Sequence, residues 1–243
     1  MGLMVKKHMP SPWGHALAGV AAAWAADLLP GRRLWRMDLP PAPVFTGFVG
    51  AGAAMTLCAA ALGSAPDLDL YLVQHRAITH SLGAVAVVFI VAGVVTGQVT
   101  RRVQRSKLKG QSEAHGEVQS GTVERGAVQR EQLGPAWALR VAVICAAAYA
   151  SHLLLDWLAI DRRIPFGLQV LWPFSDGWYI SGLDVFPQTE RQNLLSLATL
   201  HINLRAMAFE TAVMLPVLGL LWLVHVKTVT RLATQAACRH HAP

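Results

Sequence analysis

Charge is scarce in this sequence. Only 14% of its 243 residues are Asp, Glu, Lys or Arg, against about 25% in an ordinary soluble domain. The shortage is uneven: long stretches carry almost no charge and one central stretch carries plenty, as expected for a bilayer protein and not for an apolar soluble one. Cysteine is scarce too. Cys58, Cys145 and Cys238 form no CxxC pair, which argues against a disulfide framework and a cysteine zinc site. No small-residue cleavage site follows the first apolar run before Arg32, so that run is expected to be retained and not removed as a signal peptide. The net charge of +7 could suit nucleic acid, but no basic stripe with interleaved aromatics exists, and no nucleic-acid partner is expected.

What is present is apolar and helical in length. Five segments stand out: Trp13 to Leu29, Val44 to Leu62, Ser81 to Val99, Ala136 to Ile160 and Ala206 to Val226. About 20 helical residues cross a hydrocarbon core of about 30 Å. The last four segments meet that length, while the first is marginal, with Asp27 near its end. Small residues such as Gly47, Gly50, Gly52, Ala53 and Ala54 suit close helix packing in lipid, and no alternating ten-residue strands suggest a barrel. The expected fold is all-α: a polytopic membrane bundle of about five helices. Residues 1–100 carry helices one to three, residues 101–135 a polar disordered loop, and residues 136–243 helices four and five. Between those last two, Asp161 to Arg205 holds Phe166, Trp172, Phe174, Trp178, Tyr179 and Phe186, a density of aromatics that belongs at a membrane–water boundary.

If all five segments cross, 13 Lys and Arg fall on the side of the C-terminal tail and 7 on the side of the N-terminus, with Arg140 inside segment four. The bias puts the tail in the cytoplasm and the N-terminus outside. The same topology gathers the chemistry-bearing residues. His15 opens segment one, Asp67 and Asp69 follow segment two, His75 and His80 precede segment three, and His152 and Asp156 close segment four. All lie on the outward face.

Residues i and i+4 share a helix face, so His152 and Asp156 can grip one ion. Asp67 and Asp69, two apart after Pro66, suit chelation in a turn. Imidazole with carboxylate suits zinc, manganese or iron(II), and a carboxylate near a bilayer calls for a partner or a cation. Plainer readings stand beside these. His15 also reads as an interfacial helix end, Asp67 as a cap, His75 as a solvated loop residue, and Arg76 as a lipid anchor or a phosphate clamp. Thr79 and Ser81 read as caps for segment three.

At these residues the chain resembles the YdjM-type family of bacterial inner-membrane proteins, described as metal-dependent hydrolases. The resemblance rests on His15 with Gly19, on Pro66-Asp67-Leu68-Asp69, on His75-Arg76-Ala77-Ile78-Thr79-His80-Ser81, on Ser151-His152-Leu153-Leu154-Leu155-Asp156 and on Trp172-Pro173-Phe174-Ser175. Ala77 stands where the family usually has glycine. A fainter similarity is to zinc-dependent phospholipases C, which order an early His, an Asp, a His and an HxxxD helix. Their later ligands have no match here, since His201 is followed by Arg205.

The resemblance implies a membrane-embedded metal-dependent hydrolase. Its divalent ion, zinc by expectation and otherwise manganese or iron, would be held by His15, Asp67, Asp69, His80, His152 and Asp156. Asp67, His75 and Arg76 would serve catalysis on a phosphoester or lipid-like substrate, with membrane lipids as partners. Two alternatives remain open from the residues: an ion or proton-coupled transporter, or a non-catalytic membrane adaptor.

Overall fold

In the computed structural model of the chain the described residues are 10–28, 51–71, 78–114, 120–161, 164–190 and 193–240. They form five α-helices: α1 (Pro12–Leu28), α2 (Ala51–Ser64), α3 (Leu82–Ala114), α4 (Ser120–Leu158) and α5 (Leu197–His240). Two 3-10 turns, Ala65–Tyr71 and Ile78–His80, lie between α2 and α3. Among the described residues there are no strands, only two isolated bridges.

Three stretches are long and apolar enough to cross a membrane: Leu82–Val103, Trp137–Leu158 and Leu197–Lys227. They divide the work. In Trp137–Leu158, 61% of the apolar stretch is buried, whereas Leu82–Val103 has none buried and Leu197–Lys227 only 6%. Helix α4 is therefore the central post. Helices α3 and α5 turn Ile90, Val91, Val94, Leu220, Trp222 and Leu223 outward, far more apolar surface than a soluble monomer leaves wet. Helix α1, at 17 residues, falls short of a full crossing length.

The packing fixes the helix directions. On α1, Ala18 meets Leu155 and Ala159, Ala23 meets Ile144 and Ala148, and Asp27 pairs with Arg140. Helices α1 and α4 therefore run antiparallel. Gly93 and Gly97 of α3 face Ala142 and Ala138 of α4, also antiparallel. Trp13 and Ala18 meet Thr211 and Met214, so α5 runs parallel to α1. One end of the bundle thus collects the starts of α1, α3 and α5 and the ends of α2 and α4.

Helices α1 and α2 cross at glycine. A Cβ on Gly19 would lie 2.9 Å from Gly63 Cα and would collide with the Ala59 carbonyl; a Cβ on Gly63 would strike the carbonyl of His15. Small residues at such a crossing let backbones touch, which is how helices gain packing energy when lipid removes the hydrophobic drive.

The segment after α4 is tied down, not loose. Its amides at Ser181 and Val185 donate to the carbonyls of Trp157 and Leu158, the orphan acceptors at the end of α4. Leu168 is fully buried on Tyr149 and Leu153, and the amide of Leu82 donates to Val170 at the start of α3. Around these anchors Ile164, Phe174 and Leu195 stand exposed, in keeping with a surface that meets lipid headgroups.

One expectation needs correcting. Residues 101–135 were expected as a disordered loop, but α3 continues to Ala114 and α4 begins at Ser120; residues 115–119 lie outside the described residues. An existing helix propagates without a new nucleation cost, and Lys, Arg, Gln and Glu are good helix formers. The stretch shows no apolar period, and that period was the signal for a packed helix, not for a helix as such. Similarly, α5 starts at Leu197, before the expected Ala206.

Replacing Gly63 with Val is expected to lower stability by about 2 kcal/mol through overpacking, read as a lower thermal midpoint in detergent. Gly219→Ala, where an added Cβ meets nothing within 4 Å, is expected to leave the midpoint unchanged or slightly raised.

Candidate metal centre

Each side chain of the centre is delivered by a helix end. His15 sits in the first turn of α1, and its amide bonds the Ser11 carbonyl at 3.1 Å. Asp67 and Asp69 come from the 3-10 turn that follows α2. His80 closes the second turn, just before Ser81, whose hydroxyl accepts from the Ala84 amide and caps α3. His152 and Asp156 lie one turn apart on α4. The structure brings all six together, and all six are buried: His15, His80 and His152 expose nothing, and Asp69 and Asp156 only 2%. His75 and Arg76 lie outside the described residues.

The distances at the middle are short. His80 Nε2 and His152 Nε2 are 3.1 Å apart. Asp156 Oδ2 lies 3.4 Å from each of those nitrogens, and Asp156 Oδ1 lies 3.3 Å from His15 Nε2. Asp67 Oδ1 is 3.7 Å from His152 Nε2. The rings of His15 and His152 stack, centroids 3.7 Å apart.

The outer nitrogens decide what the inner ones can be. His152 Nδ1 faces the Gly63 carbonyl at 2.8 Å. A carbonyl only accepts, so that nitrogen carries a proton and donates. His80 Nδ1 lies 3.0 Å from Thr79 Oγ1 and 3.2 Å from Asp69 Oδ2. The Thr79 hydroxyl gives its one proton to Asp69, so towards His80 it can only accept, and His80 Nδ1 also carries a proton. In neutral rings both Nε2 atoms are then bare lone pairs pointing at each other. Burial lowers the affinity of His80 for a second proton, against the opposing pull of its hydrogen bond to Asp69. Two lone pairs at 3.1 Å repel unless a proton or a metal ion sits between them.

Other atoms of the cluster make the same demand. Neither ring nitrogen of His15 and neither carboxylate oxygen of Asp156 has a hydrogen-bond partner among the described residues, though all four are buried polar atoms. Two ligand sets have donor atoms mutually within 4.8 Å: His15, Asp67 and His152, and His80, His152 and Asp156. For bonds of about 2.0–2.2 Å, tetrahedral ligand atoms lie about 3.3–3.6 Å apart, and the contacts above bracket that range. The residues fit a divalent ion. Asp69 Oδ2 faces the outer nitrogen of His80, the position that a carboxylate behind a metal-bound imidazole takes.

A family match now joins the geometry. The family described as YdjM inner membrane protein matches residues 9–232. The chain belongs to the YdjM family. Membership agrees with the three apolar stretches, and the match takes in every residue of the centre. No curated protein and no solved structure matches the chain.

Sequence reasoning missed three supports of this YdjM protein's centre. Gly63 acts through its carbonyl, which no side-chain pattern reveals. Tyr149 donates from its hydroxyl to the Thr79 carbonyl at 2.7 Å; its signal was its place one helical turn before Leu153. Glu210 of α5, buried, accepts from the Ser11 amide at 2.8 Å and from the Ser11 hydroxyl, which in turn accepts from the Gly14 amide at 3.0 Å. It thereby caps the turn that carries His15.

A Cβ on Gly14 would lie 2.6 Å from the Glu210 carboxyl. Gly14→Ala and Glu210→Ala are therefore each expected to lower the thermal midpoint. Combined, they should cost less than the sum by about 1 kcal/mol, since the clash requires the carboxylate; strict additivity in the double-mutant cycle would contradict the contact.

Proposed function

We propose that this protein is a membrane-embedded, metal-dependent hydrolase of phosphoester or lipid-like substrates, with its centre on the outward face of a multi-pass inner-membrane bundle. The observation that carries the reading is the pair of buried Nε2 atoms, His80 and His152, facing each other at 3.1 Å with their outer nitrogens committed to donating. Zinc suits the mixed imidazole and carboxylate set, and manganese or iron(II) would also fit it.

A bound divalent ion would supply an acidified water near neutral pH and polarise the scissile group. The chain's own residues would do the rest. His15, His80, His152 and Asp156 would hold the ion, with Asp67 completing the first set. Asp69 and Thr79 would keep the His80 ring oriented, and the Gly63 carbonyl would keep the His152 ring oriented. Asp67, at 7% exposure the most open of the three acids, would take a proton from the water. His75 and Arg76 belong to the chain joining Tyr71 to Ile78 and are proposed as proton donor and anion clamp.

A site is favoured over a conduit. At the opposite end Asp27 and Arg140 are joined at 2.5 Å. Between the two ends the packing of Ala23, Ala59, Ile144 and Ala148 is apolar, with no relay of charges among the described residues such as an ion path needs.

Protein purified in detergent without chelators is expected to carry a divalent metal, and His152→Ala and Asp156→Asn to lose it. Near-zero, equal metal in all three would defeat the proposal. Asp69→Asn is expected to retain full stoichiometry at saturating zinc but to weaken affinity about 10- to 100-fold by titration. For the hydrolase itself, the check is cleavage of a phosphodiester probe that chelation stops and zinc restores. A fully loaded protein inert on phosphodiester and phospholipid micelles would leave the metal and remove the activity.

A further inference from the structure

Away from the candidate metal centre the described residues line an open pocket of about 400 Å³, between the end of α4, the 185–188 segment and the first turns of α5. That volume lies in the range of sites that hold small molecules. Its lining has two characters. Ile160, Val185, Ile202 and Phe209 are apolar, while His201 and Arg205 bring polar nitrogen. His201 and Arg205 are four residues apart and share one face of α5. Neither forms a hydrogen bond or an ion pair among the described residues.

We propose that this cavity binds one membrane phospholipid, its anionic headgroup on Arg205 and His201 and the start of its acyl chain against Ile202 and Phe209. Depth supports the occupant. The apolar stretch of α5 runs from Leu197 to Lys227, 31 residues, where about 20 suffice to cross. The surplus of roughly ten residues, about 15 Å of helix, lets its first turns stand at headgroup level, and His201 and Arg205 lie there. A guanidinium offers a planar fork that matches phosphate oxygens, and Phe209, one turn further along α5, gives an apolar wall for a chain that continues into the bilayer. The inference is separate from the hydrolytic reading, because lipid held here needs no metal. The cavity nonetheless adjoins the centre: Ile160 follows Asp156 by four residues, and Phe209 precedes the Glu210 that caps the His15 turn.

The test uses the full chain in phosphatidylcholine nanodiscs with trace spin-labelled phosphatidylglycerol or spin-labelled phosphatidylcholine, the immobilised fraction being read by electron paramagnetic resonance. Wild type is expected to hold phosphatidylglycerol about fivefold over phosphatidylcholine, as one basic group at a lipid surface can provide. His201→Gln with Arg205→Gln is expected to bring that ratio to about one. Ile202→Trp keeps both polar groups but fills the apolar part, and is expected to lower the immobilised fraction of both lipids; it carries the test if the double variant fails to fold. A wild-type ratio of one, an unchanged ratio in a folded double variant, or an unchanged fraction in Ile202→Trp would each overturn the proposal. So would saturable calorimetric binding of inorganic phosphate without lipid selectivity, which would assign the basic pair to a soluble anion.

Discussion

Two imidazole nitrogens cannot share a dry space with their lone pairs opposed. Removing polar groups from water without a partner costs several kcal/mol, and repulsion between the pair adds to it. The centre keeps His80 and His152 in that arrangement through groups on four different elements: the Gly63 carbonyl on α2, Asp69 in the first 3-10 turn, Thr79 in the second, and Asp156 on α4. A cation at the middle turns each of these costs into an attraction. The same nitrogens without one would be driven to protonate or to swing apart.

The rest of the fold follows from having to bring those elements to one end. Gly19 and Gly63 let α1 and α2 touch, and that contact presents the Gly63 carbonyl to His152. A larger residue at either position would move the anchor of His152 as well as a helix. Glu210 does for α1 what Gly63 does for α4. From across the bundle it accepts from the amide and hydroxyl of Ser11, whose oxygen takes the Gly14 amide, and so it sets the angle at which His15 enters. Packing and site geometry share residues here, so substitutions that loosen the bundle are expected to loosen the centre with it.

Much of this was legible in the sequence. The i, i+4 spacing of His152 and Asp156 and the alternation of apolar segments place the His and Asp motifs at one end, and the structure brings His15, Asp67, Asp69, His80, His152 and Asp156 together there. What was not legible has a physical reason in each case. The role of the Gly63 carbonyl depends on a helix crossing, not on a side chain. Thr79 read as a cap because its bond to Asp69 spans two turns. The polar extensions of α3 and α4 carry no apolar face, so periodicity had nothing to register. Glu210 is a charge in an apolar helix, but its partner, Ser11, is 199 residues away in sequence.

Charge balance limits what the middle can hold. Asp67 and Asp156 bring two negative charges, and three neutral imidazoles bring none. Asp69 is already engaged by the Thr79 hydroxyl and His80. One divalent ion neutralises the inner pair. A second would leave an excess of positive charge among fully buried side chains, unless it brought an anion of its own. The two candidate ligand sets share His152, whose single inward nitrogen can bind only one ion at a time. On both counts the candidate centre would suit one ion, and a second would need an anion of its own.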